Sequence, residues 1–157
     1  MPRTTVKLAV LAAAAALLSL TQPAGATPTG ATAHRGAAAS EAYFEFDYPP
    51  SPDKVVFKLT DTAKIQEARN IVNGTQKDRT HIIGRIVKRP ESYNPGWSFH
   101  LDPASISFFQ VAIEVCDAAP RYVEDHLDEA GGAFLPGAHW CPWNSRLLRE
   151  VPAPQTS

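Results

Sequence analysis

Apolar side chains between residues 54 and 74 follow two spacings, which predict a strand followed at once by a helix. Residues 54–59, KVVFKL, are rich in the β-branched and aromatic side chains that strands favour. Thr60 or Asp61 is suited to accept the first free backbone N–H groups of the helix, and Gly74 is suited to end it. The apolar face of this helix consists of Ile65, Ala68, Ile71 and Val72.

Three further strands are predicted in the middle of the chain. Residues 81–89, HIIGRIVKR, alternate between apolar and polar positions as a half-buried strand does. Residues 97–101 and 105–116 also favour strands, and the second of these stretches has a high content of β-branched side chains. Asp102 and Pro103 stand between the two and break the pairing.

A second helix and a final strand complete the pattern. Pro120 fits the first helical position, helical spacing continues to Ala130, and the pair Gly131–Gly132 ends the helix. Residues 145–151 predict the last strand. The order of elements predicts an α+β fold with the ferredoxin-like split βαβ arrangement, in which an antiparallel sheet carries two helices on one face.

The first 26 residues have the pattern of a secretory signal peptide, with basic residues, an apolar run from Leu8 to Leu20 and a small-residue triplet. The run is shorter than the roughly 20 residues that span a bilayer, so a secreted protein without stable membrane insertion is predicted. Residues 27–52 are expected to form a flexible arm rich in Ala, Thr and Pro. After the arm, the sequence predicts a single domain over residues 53–151 and a tail over residues 152–157.

The charge of the mature chain argues against nucleic acid and anionic lipid as partners. Removal of residues 1–26 takes away two of the 15 basic residues and none of the 16 acidic ones, leaving a net charge of −3 with neutral histidines. Binding to phosphate backbones or anionic lipid surfaces depends on a basic surface. A protein or peptide partner is therefore favoured.

The two cysteines are predicted to form a disulfide. An exported protein keeps its cysteines under oxidising conditions, and Cys116 and Cys141 are 25 positions apart. A loop of that length gives a stabilisation of about 3.5 kcal/mol on the chain-entropy account. The bond would fasten the end of a core strand to the corner formed by residues 140–143, WCPW.

That corner is the first candidate for a binding surface. Aromatic residues are enriched at protein interfaces, and a Gly/Pro-rich loop held by a disulfide would present them rigidly. For the tryptophans themselves the first interpretation is that they cover the disulfide and supply buried area, and an exposed aromatic platform for a peptide or sugar is the alternative. The candidate binding residues are Phe134, His139, Trp140, Trp143 and Arg146. Of these, Arg146 would form the rim of the surface together with an acidic helix.

Metal sites are the second possibility. His100, His126 and His139, with Asp102 or Glu129, offer ligands for zinc or iron, although their spacing matches no recognised signature. The acidic side chains of the second predicted helix offer hard oxygen ligands for calcium, or form a solvated helix face. Those side chains are Glu124, Asp125, Asp128 and Glu129.

Several phrases of the chain resemble a family of small exported actinobacterial proteins labelled calmodulin-binding-like, which share a module with the N-terminal part of an amoebal protein. The most specific of these phrases are WSFHLDP at residues 97–103, HLDEAGGAFLPG at 126–137 and HWCPW at 139–143. The resemblance covers roughly residues 55–150. It says little about activity and supplies no catalytic residues.

Three functions follow from these observations. The first is a secreted, disulfide-stapled, non-catalytic module that binds a protein or peptide, since the catalytic motifs of the common hydrolase and nucleotide-binding families are absent from the chain. The second is a metal-dependent extracellular hydrolase built on the three histidines. The third, an antagonist of extracellular proteases, differs from the first only in its partner.

Overall fold

A computed structural model describes residues 41–155, so the predicted signal peptide and residues 27–40 of the predicted arm lie outside the described part. This part contains a short 3₁₀ turn at Glu114–Cys116 in addition to its helices and strands. The other elements are β1 (Ala42–Tyr48), β2 (Ser51–Leu59), α1 (Thr62–Val72), β3 (His81–Val87), β4 (His100–Leu101), β5 (Ser107–Phe109), α2 (Pro120–Asp125), β6 (Ala130–Gly131), β7 (Phe134–Pro136), β8 (His139–Trp140) and β9 (Arg146–Val151). None of the helices in this range has the length and apolar character that crossing a membrane requires.

The first sheet has the strand order β2-β1-β9, and all of its pairs are antiparallel. Phe44 and Phe46 of β1 are fully buried in the core, and β1 is paired along both of its edges. Residues 42–52, which the sequence pattern placed in a flexible arm, thus form β1, a turn at residues 49–50 and the start of β2. The predicted strand at residues 54–59 is confirmed as part of β2.

Helix α1 begins and ends as predicted. Asp61 accepts a 2.9 Å hydrogen bond from the backbone N–H of Lys64, which satisfies one of the free amides of the first turn. At the other end Gly74 has a φ of +77°, a conformation that only glycine adopts without strain. The buried face of the helix consists of Ile65, Ala68 and Ile71.

The second sheet is arranged around β3, which pairs antiparallel with β4, β5 and β8. The predicted strand at 97–101 is reduced to His100–Leu101, and that at 105–116 to Ser107–Phe109. Residues 111–115 alternate in sequence like a strand, but Val111, Ile113 and Val115 face solvent. Their alternation therefore reflects a surface segment that has no pairing strand and that passes into the 3₁₀ turn at Glu114–Cys116.

Helix α2 is shorter than predicted. It begins at Pro120 after Ala119, but it ends at Asp125, and His126 has left the helical conformation with φ −122° and ψ 28°. Ala130 instead forms a small parallel pair with Phe134 of β7. Val123 and Ala130 are nevertheless both buried, so their apolar spacing reflects contacts with the core and not one continuous helix.

An aromatic core joins the two larger sheets. Phe46 of β1 lies 5.8 Å from Trp140 of β8, and Phe57 of β2 lies 6.4 Å from Phe108 of β5, measured between ring centroids. The fold is a mixed α/β structure with antiparallel sheets, two α-helices and one disulfide. The ferredoxin-like arrangement is not confirmed, because the strands are divided between separate sheets.

The free edge of β2 is covered by side chains from the loop before β4. Asn94 Oδ1 accepts a 2.8 Å hydrogen bond from the backbone N–H of Val56, and Asn94 Nδ2 donates to the carbonyl oxygen of Phe99. Trp97 Nε1 donates to the carbonyl oxygen of Lys54 across 2.7 Å. Edge strands with open backbone groups are prone to pair with other chains, so these contacts protect the sheet.

Candidate functional site

The predicted disulfide between Cys116 and Cys141 is confirmed, with a distance of 5.2 Å between the two Cα atoms. The backbone N–H of Cys141 also donates a 2.8 Å hydrogen bond to the carbonyl oxygen of Cys116. Cys141 follows β8 directly, and β8 is paired with β3. The segment before Cys116 is therefore fastened to the sheet at its C-terminal end.

A second, smaller apolar cluster surrounds the disulfide on the outer face of β3. Ile82 and Ile86 of this strand point into the main core, so Ile83 points to the opposite face. This cluster is distinct from the aromatic core between the sheets. Its members are Phe109, Cys116 and Cys141, with Ile83, Ala112 and Trp143 packed against them.

An apolar cleft opens beside this cluster. It has a volume of about 390 Å³, which is within the range of small-ligand pockets. Six of its seven lining residues are apolar or half-cystine, and the seventh is a histidine. The lining consists of Ile83, Ala112, Ile113, Val115, Cys116, Pro136 and His139.

Aliphatic side chains continue from the cleft onto the open surface. Val111 is 81% exposed, Ile113 71% and Val115 60%, although all three are aliphatic. We call the exposed side chains of Val111, Ile113 and Val115 the apolar ribbon. Contiguous exposed apolar surface of this kind marks interaction sites on soluble domains.

The far wall of the cleft is built on a tightly turned backbone. Leu135 and Ala138 have φ values of +46° and +60°, which residues other than glycine seldom adopt. Three contacts hold this conformation. The side chain of Leu135 is buried, and the backbone N–H of Ala138 donates a hydrogen bond to the carbonyl oxygen of Leu135. The carbonyl oxygen of Ala138 accepts a hydrogen bond from the backbone N–H of Ile86. Residues 134–139 are thus fixed against β3.

The candidate aromatic residues do not form one platform. Trp140 is fully buried, and its Nε1 donates a 2.9 Å hydrogen bond to the carbonyl oxygen of Ala118, so its ring belongs to the core and not to the exposed surface. Trp143 is half-buried in the disulfide cluster, which agrees with the interpretation that the tryptophans cover the bridge. Phe134 lies elsewhere, packed edge-on against Tyr122 at 5.4 Å between ring centroids.

Two other candidate residues also lie apart. His139 is exposed and lines the apolar cleft. Arg146 forms a bidentate ion pair with Asp47 and lines a separate cavity of about 500 Å³ together with His81. Sequence reasoning did not single out Ile83, Ala112 or Pro136 as lining residues, because they come from three separate segments that only the folded chain brings together.

A family model for the BP-74 N-terminal domain matches residues 40–154. The chain belongs to the BP-74 N-terminal domain family. The match begins ahead of β1 and so includes the strand that the sequence pattern assigned to the arm. The actinobacterial origin, the amoebal kinship and the calmodulin-binding label of the resemblance stay predictions. No curated protein and no solved structure matched this member of the family.

The three histidines proposed as metal ligands are dispersed in this BP-74 N-terminal domain. His100 is buried and its Nδ1–H donates to the carbonyl oxygen of Arg89 across 2.7 Å. His126 stacks on Tyr122 at 4.0 Å between ring centroids, and His139 is exposed and lines the apolar cleft. Within residues 41–155 no three His, Cys, Asp or Glu side chains are grouped so that they could hold a metal ion.

An acidic side chain links the disulfide segment to β1 and to the last loop. Asp117 Oδ1 accepts a 2.9 Å hydrogen bond from the backbone N–H of Trp143 and a longer one, of 3.4 Å, from the hydroxyl of Tyr48. Burial of Tyr48, and then the negative charge of Asp117, raise the pKa of the Tyr48 hydroxyl above its ordinary value. The hydroxyl therefore stays protonated and remains a donor near neutral pH.

Proposed function

We propose that this protein is a non-catalytic binding module that takes an extended peptide segment of another protein along the apolar ribbon and into the apolar cleft. The observation that supports the proposal is the exposure of Val111, Ile113 and Val115 beside a preformed cleft. Full burial of one Val or Ile side chain contributes about 1.5–3 kcal/mol. Partial cover of three such side chains therefore provides enough free energy for peptide binding.

The disulfide supports the same proposal through rigidity. Because Cys116 is bonded to Cys141, the end of the apolar ribbon is held at one position relative to β8 before a partner arrives. A preorganised surface loses less conformational entropy on binding than a free loop. Since disulfides persist in oxidising compartments, the proposal includes function outside the cytosol.

A peptide fits the size of this surface better than a second copy of the chain. Stable interfaces between proteins bury about 800 Å² on each partner and involve about 20–30 residues a side. The cleft has seven lining residues, and Val111 extends it to eight. A surface of that size matches a short extended segment whose side chains enter one cleft.

The metal-dependent hydrolase requires a group of metal-binding side chains, and the described residues do not bring three candidate ligands together. A protease antagonist would use the same surface as the proposed module and differs only in the protein that carries the bound segment.

Selection from a display library of random twelve-residue peptides on the oxidised protein tests the proposal. Ile113→Ser should weaken the selected peptides about tenfold, a change of about 1.4 kcal/mol. Tyr122→Ser is the matched control, because Tyr122 is 51% exposed and lies outside the ribbon. Peptides that bind Ile113→Ser as tightly as wild type, or that are lost with Tyr122→Ser, would contradict it.

A further inference from the structure

We infer that the bound segment carries an acidic side chain two positions from its apolar anchor residue, and that Arg85 binds this carboxylate beside the cleft. The inference rests on the proposed function and specifies the chemistry of the partner.

Arg85 lies at the rim of the apolar cleft. It stands directly opposite His139 in the antiparallel pair of β3 and β8. Residues opposite each other in such a pair project from the same face with Cβ atoms about 5 Å apart. His139 lines the cleft, and so does Ile83, which is two residues before Arg85 on the same face of β3.

The charge of Arg85 has no acidic partner within 4.0 Å among the side chains that the structure describes. The other arginines of residues 41–155 all have one, including the bidentate pairs of Arg69 with Glu150 and Arg146 with Asp47. The remaining paired arginines are Arg79, Arg89, Arg121 and Arg149. Arg85 is exposed, and so is His139 beside it.

A guanidinium in this position suits a carboxylate. Its planar group of N–H donors matches the two oxygens of Asp or Glu, and such pairs are stronger than neutral hydrogen bonds. One arginine beside an apolar cleft does not suit a nucleic acid, whose binding requires many basic contacts. The chain has a net charge of −1, which also opposes an extended polyanion.

The spacing of the two peptide groups follows from strand geometry. Ile83 and Arg85 are two residues apart on one face of β3, a separation of about 6.6 Å. In an extended peptide, residues two positions apart project from the same side at the same separation. An apolar anchor beside Ile83 therefore places the side chain at the second position along next to Arg85.

A comparison of two peptide libraries tests the inference. Both contain twelve-residue peptides with Leu at a central position, and the residues two positions before and two positions after it are Glu in one library and Gln in the other. Dissociation constants of individual Glu peptides and their Gln counterparts are measured with wild type, with Arg85→Gln and with Lys77→Gln. Lys77 is exposed, so its substitution controls for the loss of one positive charge.

Replacement of Glu by Gln in the peptide should weaken its binding to the wild-type protein and to the Lys77→Gln protein about tenfold. The same replacement should weaken binding to the Arg85→Gln protein less than twofold. An equal effect in all three proteins would overturn the inference. If the Gln peptides bind wild type and are lost with Ile113→Ser, the proposed function stands even when the inference fails. If neither library yields a peptide that depends on Ile113, the proposed function and the inference both fail.

Discussion

The backbone N–H of Cys141 donates a 2.8 Å hydrogen bond to the carbonyl oxygen of Cys116, alongside the covalent bond between their sulfurs. The carbonyl oxygen of Ile113 also accepts a turn hydrogen bond of 3.4 Å from the backbone N–H of Cys116. The orientation of the apolar ribbon is therefore coupled to the position of β8. Loss of the disulfide should affect stability and peptide binding together.

Replacement of both half-cystines by alanine should lower the free energy of unfolding by about 3.5 kcal/mol, because a loop of 25 residues is no longer closed in the unfolded chain. Denaturation in guanidinium chloride measures this change. The free energy of unfolding of wild type treated with a reductant should fall by a similar amount. An unchanged denaturation midpoint in both samples would show that the bond contributes nothing to stability.

Trp140→Ala should destabilise the protein by about 3–5 kcal/mol, since it removes a fully buried ring from between the two sheets. Trp140→Phe keeps an aromatic ring but leaves the carbonyl oxygen of Ala118 without its donor, so a smaller loss of about 1–3 kcal/mol is expected. Thermal unfolding measures the stability of both variants. A Trp140→Ala protein with normal stability and weakened peptide binding would place Trp140 at the contact surface instead.

Asn94→Ala should destabilise the protein by about 2–3 kcal/mol and promote aggregation, because the backbone groups of Val56 and Phe99 both lose a partner. Chemical denaturation and light scattering measure the two effects. Gln66→Ala serves as the control, since Gln66 is exposed and its one hydrogen bond lies on the surface of α1. Equal aggregation of the two variants would remove the role of Asn94 in covering the edge of β2.

Glu45→Gln should destabilise the protein near neutral pH, and this difference should disappear in acid. Burial opposes ionisation of Glu45, but hydrogen bonds from Arg149 and the positive charges of Arg149 and Lys54 outweigh it and lower the pKa of the carboxyl. A lowered folded-state pKa stabilises the protein above the unfolded pKa of about 4.3, and the stabilisation is lost as pH falls through the folded value.

Thermal unfolding of Glu45→Gln and wild type between pH 7 and pH 2.5 tests this expectation. The unfolding midpoints should differ by several degrees at pH 7 and converge in the lower part of the range. Glu129→Gln, a substitution at an exposed position, should follow the wild-type curve throughout. A difference that stays constant down to pH 2.5 would mean that Glu45 acts through packing and not through its charge.

The sequence pattern predicted the elements whose buried and exposed faces differ clearly. Helix α1 shows this, because its apolar face and its cap at Asp61 are both evident in the sequence. Strand β1 was missed although Phe44, Glu45, Phe46 and Asp47 alternate in sequence, because nothing within the segment shows that the charge of Glu45 is buried and paired with Arg149. A pattern within one segment contains no trace of such a distant partner.

The candidate site was predictable only in part for a similar reason. The disulfide and His139 follow from composition and from the loop that contains them. The apolar ribbon was taken for a core strand, because alternation is the same whether the apolar side faces a core or solvent. The position of Arg85 at the rim of the cleft depends on its pairing with His139, which is a property of the folded chain.

The central position of β1 has a consequence for the order in which the protein forms. Tyr43 pairs with Val151 and Phe46 with Leu147, so the first described strand completes its sheet only with the last one. Contacts this distant along the chain slow folding. During synthesis one edge of β1 therefore stays unpaired until β9 has left the ribosome, and an open strand edge of this kind is exposed to aggregation and to chaperones.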